Sequence, residues 1–199
     1  MAANTPGRRP PARRRDELEA PPAGAAAADP EPDAEDVART IALRQLTAAP
    51  RSRAQLAEAM ARRDVPAEVA DRVLDRFTEV GLVDDAAYAE MLVRTRHAER
   101  GLARRALAQE LRRKGIDAEV AEAALAQVDE AGEEAAARRL VEKKVRATVG
   151  LDRQVRRRRL AAMLARKGFG PGVAMRVVDE ALADAEGADA DDTAQWDTP

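Results

Sequence analysis

A block of about 51 to 53 residues recurs three times in this chain with its apolar columns in register, and such a recurrence is the signature of a repeat architecture. Leu56 falls on Leu107 and Leu160, Met60 on Leu111 and Leu164, and Val65 on Ile116 and Phe169. Downstream, Val69, Val120 and Val173 coincide, as do Ala70, Ala121 and Ala174, and Leu74, Leu125 and Val178. Upstream, Val37 aligns with Tyr88 and Val141, and Ile41 with Leu92 and Val145. Each block thus carries three apolar segments, and one repeat is one packing unit.

The spacing inside each segment is i, i+4, which puts the apolar side chains on one helical stripe. Only 2% of the residues are aromatic, while Ala, Leu, Arg and Glu abound, a composition that fits helices better than strands. Arg-Lys-Gly at 113–115 and 166–168 reads as a cationic last turn followed by a left-handed glycine cap. Asp64 holds that place in the first repeat. Pro66, Asp117 and Gly170-Pro171 then open the third helix of each block. The pattern predicts helices over 35–48, 51–62, 66–80, 84–99, 101–113, 117–129, 133–148, 152–166 and 170–184.

The expected fold is therefore all-α, an elongated array of three tandem three-helix repeats at 35–83, 84–131 and 132–184. Residues 1–34 are rich in Pro, Ala and charge, and residues 185–199 are acidic with Trp196 near the end. Both are expected to be disordered. The chain has no Cys, which removes disulfides and thiolate metal sites. No apolar run reaches the roughly 18 residues of a membrane span, and the start lacks the apolar stretch of a secretory signal; a cytoplasmic protein with no membrane partner is expected.

The formal net charge of −2 conceals a basic centre, because residues 37–183 hold 29 basic and 22 acidic side chains, a net of +7. The excess is densest in the third repeat, at Arg138, Arg139, Lys143, Lys144, Arg146, Arg153, Arg156, Arg157, Arg158, Arg159, Arg166 and Lys167. Such a patch suits a phosphate backbone or an acidic protein surface. Basic residues also keep the repeat register: Arg53, Arg104 and Arg157; Arg62, Arg113 and Arg166; Arg63, Lys114 and Lys167. Last-turn cations complement the helix dipole as well, so these columns have a structural reading beside the binding one. For the run Arg156 to Arg159, which surrounds a helix with like charge, binding to an external anion is expected. The candidate partner-binding residues are Arg104, Arg113, Lys114, Arg153, Arg156, Arg157, Arg158, Arg159, Arg166 and Lys167.

Catalysis finds no constellation here. His97 is the only histidine and has no Cys or Ser partner nearby in sequence. Gly168-Phe169-Gly170-Pro171-Gly172 lacks the preceding strand and the Gly-Lys-Ser/Thr ending of a phosphate loop, so a helix-to-helix turn is expected. Asp84-Asp85 and Glu133-Glu134 open helices, where carboxylates complement the dipole. No catalytic residue, metal site or cofactor is expected.

Gly81-Leu82-Val83-Asp84-Asp85-Ala86-Ala87-Tyr88-Ala89, followed by Arg100-Gly101, Leu107, Leu111 and Lys114-Gly115-Ile116, resembles the central signature of the RecX family, bacterial regulators of the RecA recombinase. Leu164-Ala165-Arg166-Lys167-Gly168-Phe169 is similar to that family's closing motif, and the resemblance covers about 37–184. Two departures are Arg63-Asp64 in place of Lys-Gly and the N-terminal extension. The resemblance implies a non-enzymatic modulator that lodges in the groove of the RecA–single-stranded DNA–ATP filament. It implies limited filament extension and suppressed ATP hydrolysis, strand exchange and cleavage of the SOS repressor. A monomer would suffice, with single-stranded DNA as a further contact. The competing expectation from charge alone is a general helical DNA-binding protein, against which stands the scarcity of base-reading and stacking side chains.

Overall fold

The computed structural model describes the backbone of residues 33–194 and the side chains of residues 33–187; of the disorder expected over 1–34 and 185–199, residues 1–32 and 195–199 lie outside the described residues, while 33–34 and 185–194 belong to the ends of the first and last helices. Among the described residues every regular element is helical: α1 (Ala34–Ala48), α2 (Arg53–Ala61), α3 (Ala67–Glu79), α4 (Asp85–Arg100), α5 (Arg104–Arg113), α6 (Ala118–Leu125), α7 (Glu130–Val145), α8 (Arg153–Arg166) and α9 (Pro171–Ala194), with a 3-10 turn at Arg146–Thr148. Side-chain oxygens of Asp33, Ser52, Asp84, Asp117, Asp129 and Asp152 cap six of these helices, satisfying N–H groups that have no partner inside a helix. Ser52 and Gln55 form a reciprocal capping box.

Three clusters form the core, one centred on each repeat, with Ala103 of the second block joining the third cluster. Leu56, Leu107 and Leu160 are buried at equivalent places, as are Met60, Leu111 and Leu164, and Leu74, Leu125 and Val178. The 3.6-residue stripe of each middle helix therefore faces the two flanking helices of its own block.

The blocks are joined through their middle helices. Ser52, the N-cap of α2, donates from Oγ to the carbonyl of Lys114, the C-cap of α5, at 2.6 Å. One repeat later, the N–H of Ala103, the N-cap of α5, donates to the carbonyl of Lys167, the C-cap of α8, at 3.0 Å. A helix C-terminus with exposed carbonyls thus meets a helix N-terminus with exposed N–H groups, which satisfies both and aligns their dipoles favourably. The opening acid of the next block adds a second tie: Asp85 accepts from the N–H of Arg53 at 2.8 Å and Glu133 from that of Arg104 at 3.4 Å.

These junctions explain why one block departs from the Lys-Gly pattern. Gly115 and Gly168 have φ of +72° and +94°, and a Cβ on either would lie 2.3 Å from Ala54 Cβ or 2.6 Å from Ala106 Cβ in the preceding block. Asp64 has φ +59° but no preceding block, and its side chain is exposed. Only the left-handed backbone is required there, and Asp tolerates it at some cost. Asp64→Gly is expected to stabilise the fold by about 0.5–1 kcal/mol, after the entropy of the unfolded glycine is subtracted. A melting temperature that stays level or falls would show Asp64 to have a stabilising contact of its own.

The last helix differs from the sequence expectation: α9 continues to Ala194 instead of ending at 184, because the Ala-rich stretch sustains a helix and Glu186 pairs with Arg153. The expected start near 152 holds for α8, which opens at Arg153, one turn ahead of Arg157, the register equivalent of Arg53 and Arg104, which open α2 and α5. The extra turn puts Arg156 inside the helix, where Ser52 and Ala103 are caps.

Candidate interaction surface

The first basic column proves to be a recurring internal latch. Arg53, in the first turn of α2, reaches Asp75 of α3 at 2.8 Å and Asp71 at 3.5 Å. Arg104 of α5 pairs with Glu122 of α6 and donates to the carbonyl of Leu125 at 3.0 Å. Arg157 of α8 grips Asp179 of α9 with two bonds, at 2.6 and 2.9 Å. In each block an arginine at one register position ties the middle helix to the third. The Arg157 bonds hold the Asp179 carboxyl below the ordinary carboxylate range, so this latch persists until the pH falls through that lowered value.

The expectation that the whole run Arg156 to Arg159 meets an external anion is therefore corrected at its first two members, which are engaged within the fold. Arg156 is 7% exposed, with Nε donating to Thr148 Oγ1 at 3.2 Å. Arg157 is latched to Asp179 and Arg153 to Glu186. Burial of Arg156 follows from the early start of α8, and the acids that engage its neighbours come from α9, 22 and 33 residues further along the chain.

Among the remaining candidates, Lys114 and Lys167 lend their carbonyls to the block junctions, and Lys167 Nζ also donates to the carbonyl of Arg100 at 2.8 Å. Arg113, Arg158, Arg159 and Arg166 are exposed, and no described carboxylate pairs with them. The sequence reading passed over Arg105 and Arg112, which are also exposed on α5 and share a stripe at i, i+7; that spacing was the signal available. Arg159 and Arg166 repeat the i, i+7 stripe on α8, and Arg139 and Lys143 of α7 with Arg146 of the turn that follows form an exposed i, i+4, i+7 row. On the opposite side of the balance, Glu134 is pulled below its ordinary pKa, first by its bond to Arg138 and then by Arg176.

The loop signature spanning Gly81 to Tyr88 has a structural role at the first junction. Gly81 supplies a left-handed turn at φ +73°, Asp84 caps α4, Asp85 reaches back to Arg53, and Val83 and Tyr88 are buried in adjacent cores. Leu82 remains half exposed. His97 is spent on the α4–α5 turn, its Nδ1 lying 3.0 Å from the carbonyl of Leu102, and the Gly168 to Gly172 stretch joins α8 to α9. Among the described residues no group of three or more His, Cys, Asp or Glu side chains is placed to hold a metal, and no helix is long and apolar enough to cross a membrane.

Three helical blocks docked through their middle helices, each with an arginine latch and basic residues recurring in register, define an all-α protein of tandem three-helix repeats. Family models agree: the first, second and third three-helix domains of RecX match residues 38–77, 84–125 and 132–178. The chain belongs to the RecX family. It is 55% identical over 161 residues to the regulatory protein RecX of Streptomyces coelicolor, covering 81% of this chain and 85% of that one. Identity to the regulatory protein RecX of Thermobifida fusca is 53% over 181 residues, or 91% and 96% of the two chains. In fold it resembles the crystal structure of RecX from Lactobacillus salivarius, with a TM-score of 0.67 at 22% identity over 74% of this chain and 96% of that one.

Proposed function

We propose that the protein is a non-enzymatic regulator that binds the groove of the RecA–single-stranded DNA filament, limits its extension, and inhibits ATP hydrolysis, strand exchange and coprotease activity. It acts as a cytoplasmic monomer without a cofactor. The observation that supports this most is the recurrence of exposed arginines on middle helices that abut end to end, with Arg105 and Arg113 on α5 answered by Arg158 and Arg166 on α8. A polymer of identical subunits presents acidic and phosphate groups at intervals, and several weak contacts on one ligand add through effective concentration. The positive charge raises the encounter rate and makes it salt-sensitive.

Titrating the protein into RecA–single-stranded DNA and following ATP hydrolysis tests the reading. Suppression is expected at amounts well below one molecule per recombinase monomer, because one bound molecule at a growing end affects many subunits. Unchanged hydrolysis with unchanged filament length would contradict the proposal, and a strictly one-to-one effect would replace end-blocking with sequestration.

A further inference from the structure

A cavity of about 440 Å³ opens in the third repeat between α7, the turn that follows it, α8 and α9. Val145, Val149, Val177 and Ala181 give it apolar walls, and Val149 is 61% exposed. Arg156 enters from α8. Its guanidinium is buried, Nε is held by Thr148, and Nη2 has no hydrogen-bond partner among the described residues. A buried donor without an acceptor is costly, so an oxygen that reaches Nη2 through a small shift of the side chains covering it would be bound where the fold already holds the arginine in place.

Charge decides which oxygen. Arg138, Arg146 and Arg156 line the cavity together with Glu142, Glu180 and Asp184, so the lining has no net charge. A nucleic-acid backbone would bring successive phosphates against three carboxylates; a protein segment can place one carboxylate on the arginine and an apolar side chain on the valines. We propose that this cavity docks a segment of a partner protein in which an acidic side chain lies beside a branched apolar one, the carboxylate meeting Arg156 Nη2 and the apolar group covering Val145 and Val149. The proposal rests on the reading that the recombinase filament is the partner. It separates a protein-binding cavity from the exposed bases of α7 and α8, which meet anions.

Two variants test it on the RecA–single-stranded DNA filament. Val149→Asp sets a carboxylate at the mouth, where it repels the incoming acid and removes apolar area from an exposed position that the fold does not need. Arg156→Met keeps length and apolar character while deleting the donor. Both are expected to weaken filament binding about tenfold, as loss of a buried anchor does, while binding to bare single-stranded DNA stays as in the unaltered chain. Should Arg156→Met fail to fold, Val149→Asp decides alone. Folded variants that bind the filament normally would overturn the cavity assignment and leave the proposed function standing. An equal loss on bare DNA would overturn it by making the cavity part of a nucleic-acid surface. If the unaltered chain does not bind the filament, both readings fall together.

Discussion

Gly168→Ala is expected to cost about 2–5 kcal/mol of stability, the sum of roughly 1–2 for a non-glycine left-handed residue and roughly 1–3 for overpacking. The reason is the approach of the preceding block, whose Ala106 nitrogen would lie 2.8 Å from the new Cβ and whose Ala106 Cβ would lie 2.6 Å away. Because one of those atoms is backbone, trimming the neighbour to Ala106→Gly relieves only part of the clash. Gly115→Ala meets Ala54 Cβ at 2.3 Å, a side-chain atom, so Ala54→Gly should recover more of its loss, less about 1 kcal/mol for glycine in a helix. Gly150→Ala is the control: φ is +85° and nothing lies within 4 Å, so backbone strain alone remains. Denaturant unfolding should rank Gly168→Ala well below Gly150→Ala. Equal losses would mean that the Lys167–Ala103 junction does not hold the second and third blocks together.

The apolar columns carried most of the fold because burial repeats wherever packing repeats. Leu56, Leu107 and Leu160 needed no tertiary information to be aligned, and all three are buried. The glycines at 115 and 168 were legible as caps from the cationic turn before them. Their tight contact with the preceding block was not, since only docking brings Ala54 and Ala106 to them, and that contact is what separates them from Asp64.

Charge was harder to read. Asp71 and Glu122 hold equivalent positions, as do Asp75 and Asp179, so the latches to Arg53, Arg104 and Arg157 left a trace at separations of 18 and 22 residues. A local reading looks for compensation three or four residues away and overlooks it. Burial of Arg156 depends on α8 opening one turn ahead of the repeat register, a shift of Asp152 into the cap position that the aligned columns do not encode. As a result, replacing Arg156 to Arg159 together would break one latch and empty one buried site as well as remove surface charge, so it would not separate binding from folding.

Arg158→Gln with Arg159→Gln makes that separation, because both side chains are exposed and glutamine is as good a helix former as the site requires. Thermal unfolding should be unchanged. An exposed ion pair is worth up to about 1 kcal/mol, so two lost together should weaken filament binding about tenfold, and the fall of affinity with salt should flatten. The decisive measurement is equilibrium binding to the RecA–single-stranded DNA filament, to bare single-stranded DNA and to free RecA across a range of salt, for the unaltered chain and this variant. The account predicts that the filament is bound at least tenfold more tightly than either component, through several contacts engaged at once, and that the variant loses most on the filament. Equal affinity for filament and bare DNA would make the protein a general DNA binder, and a folded variant with normal affinity and salt response would make the basic stripe an idle solvated face.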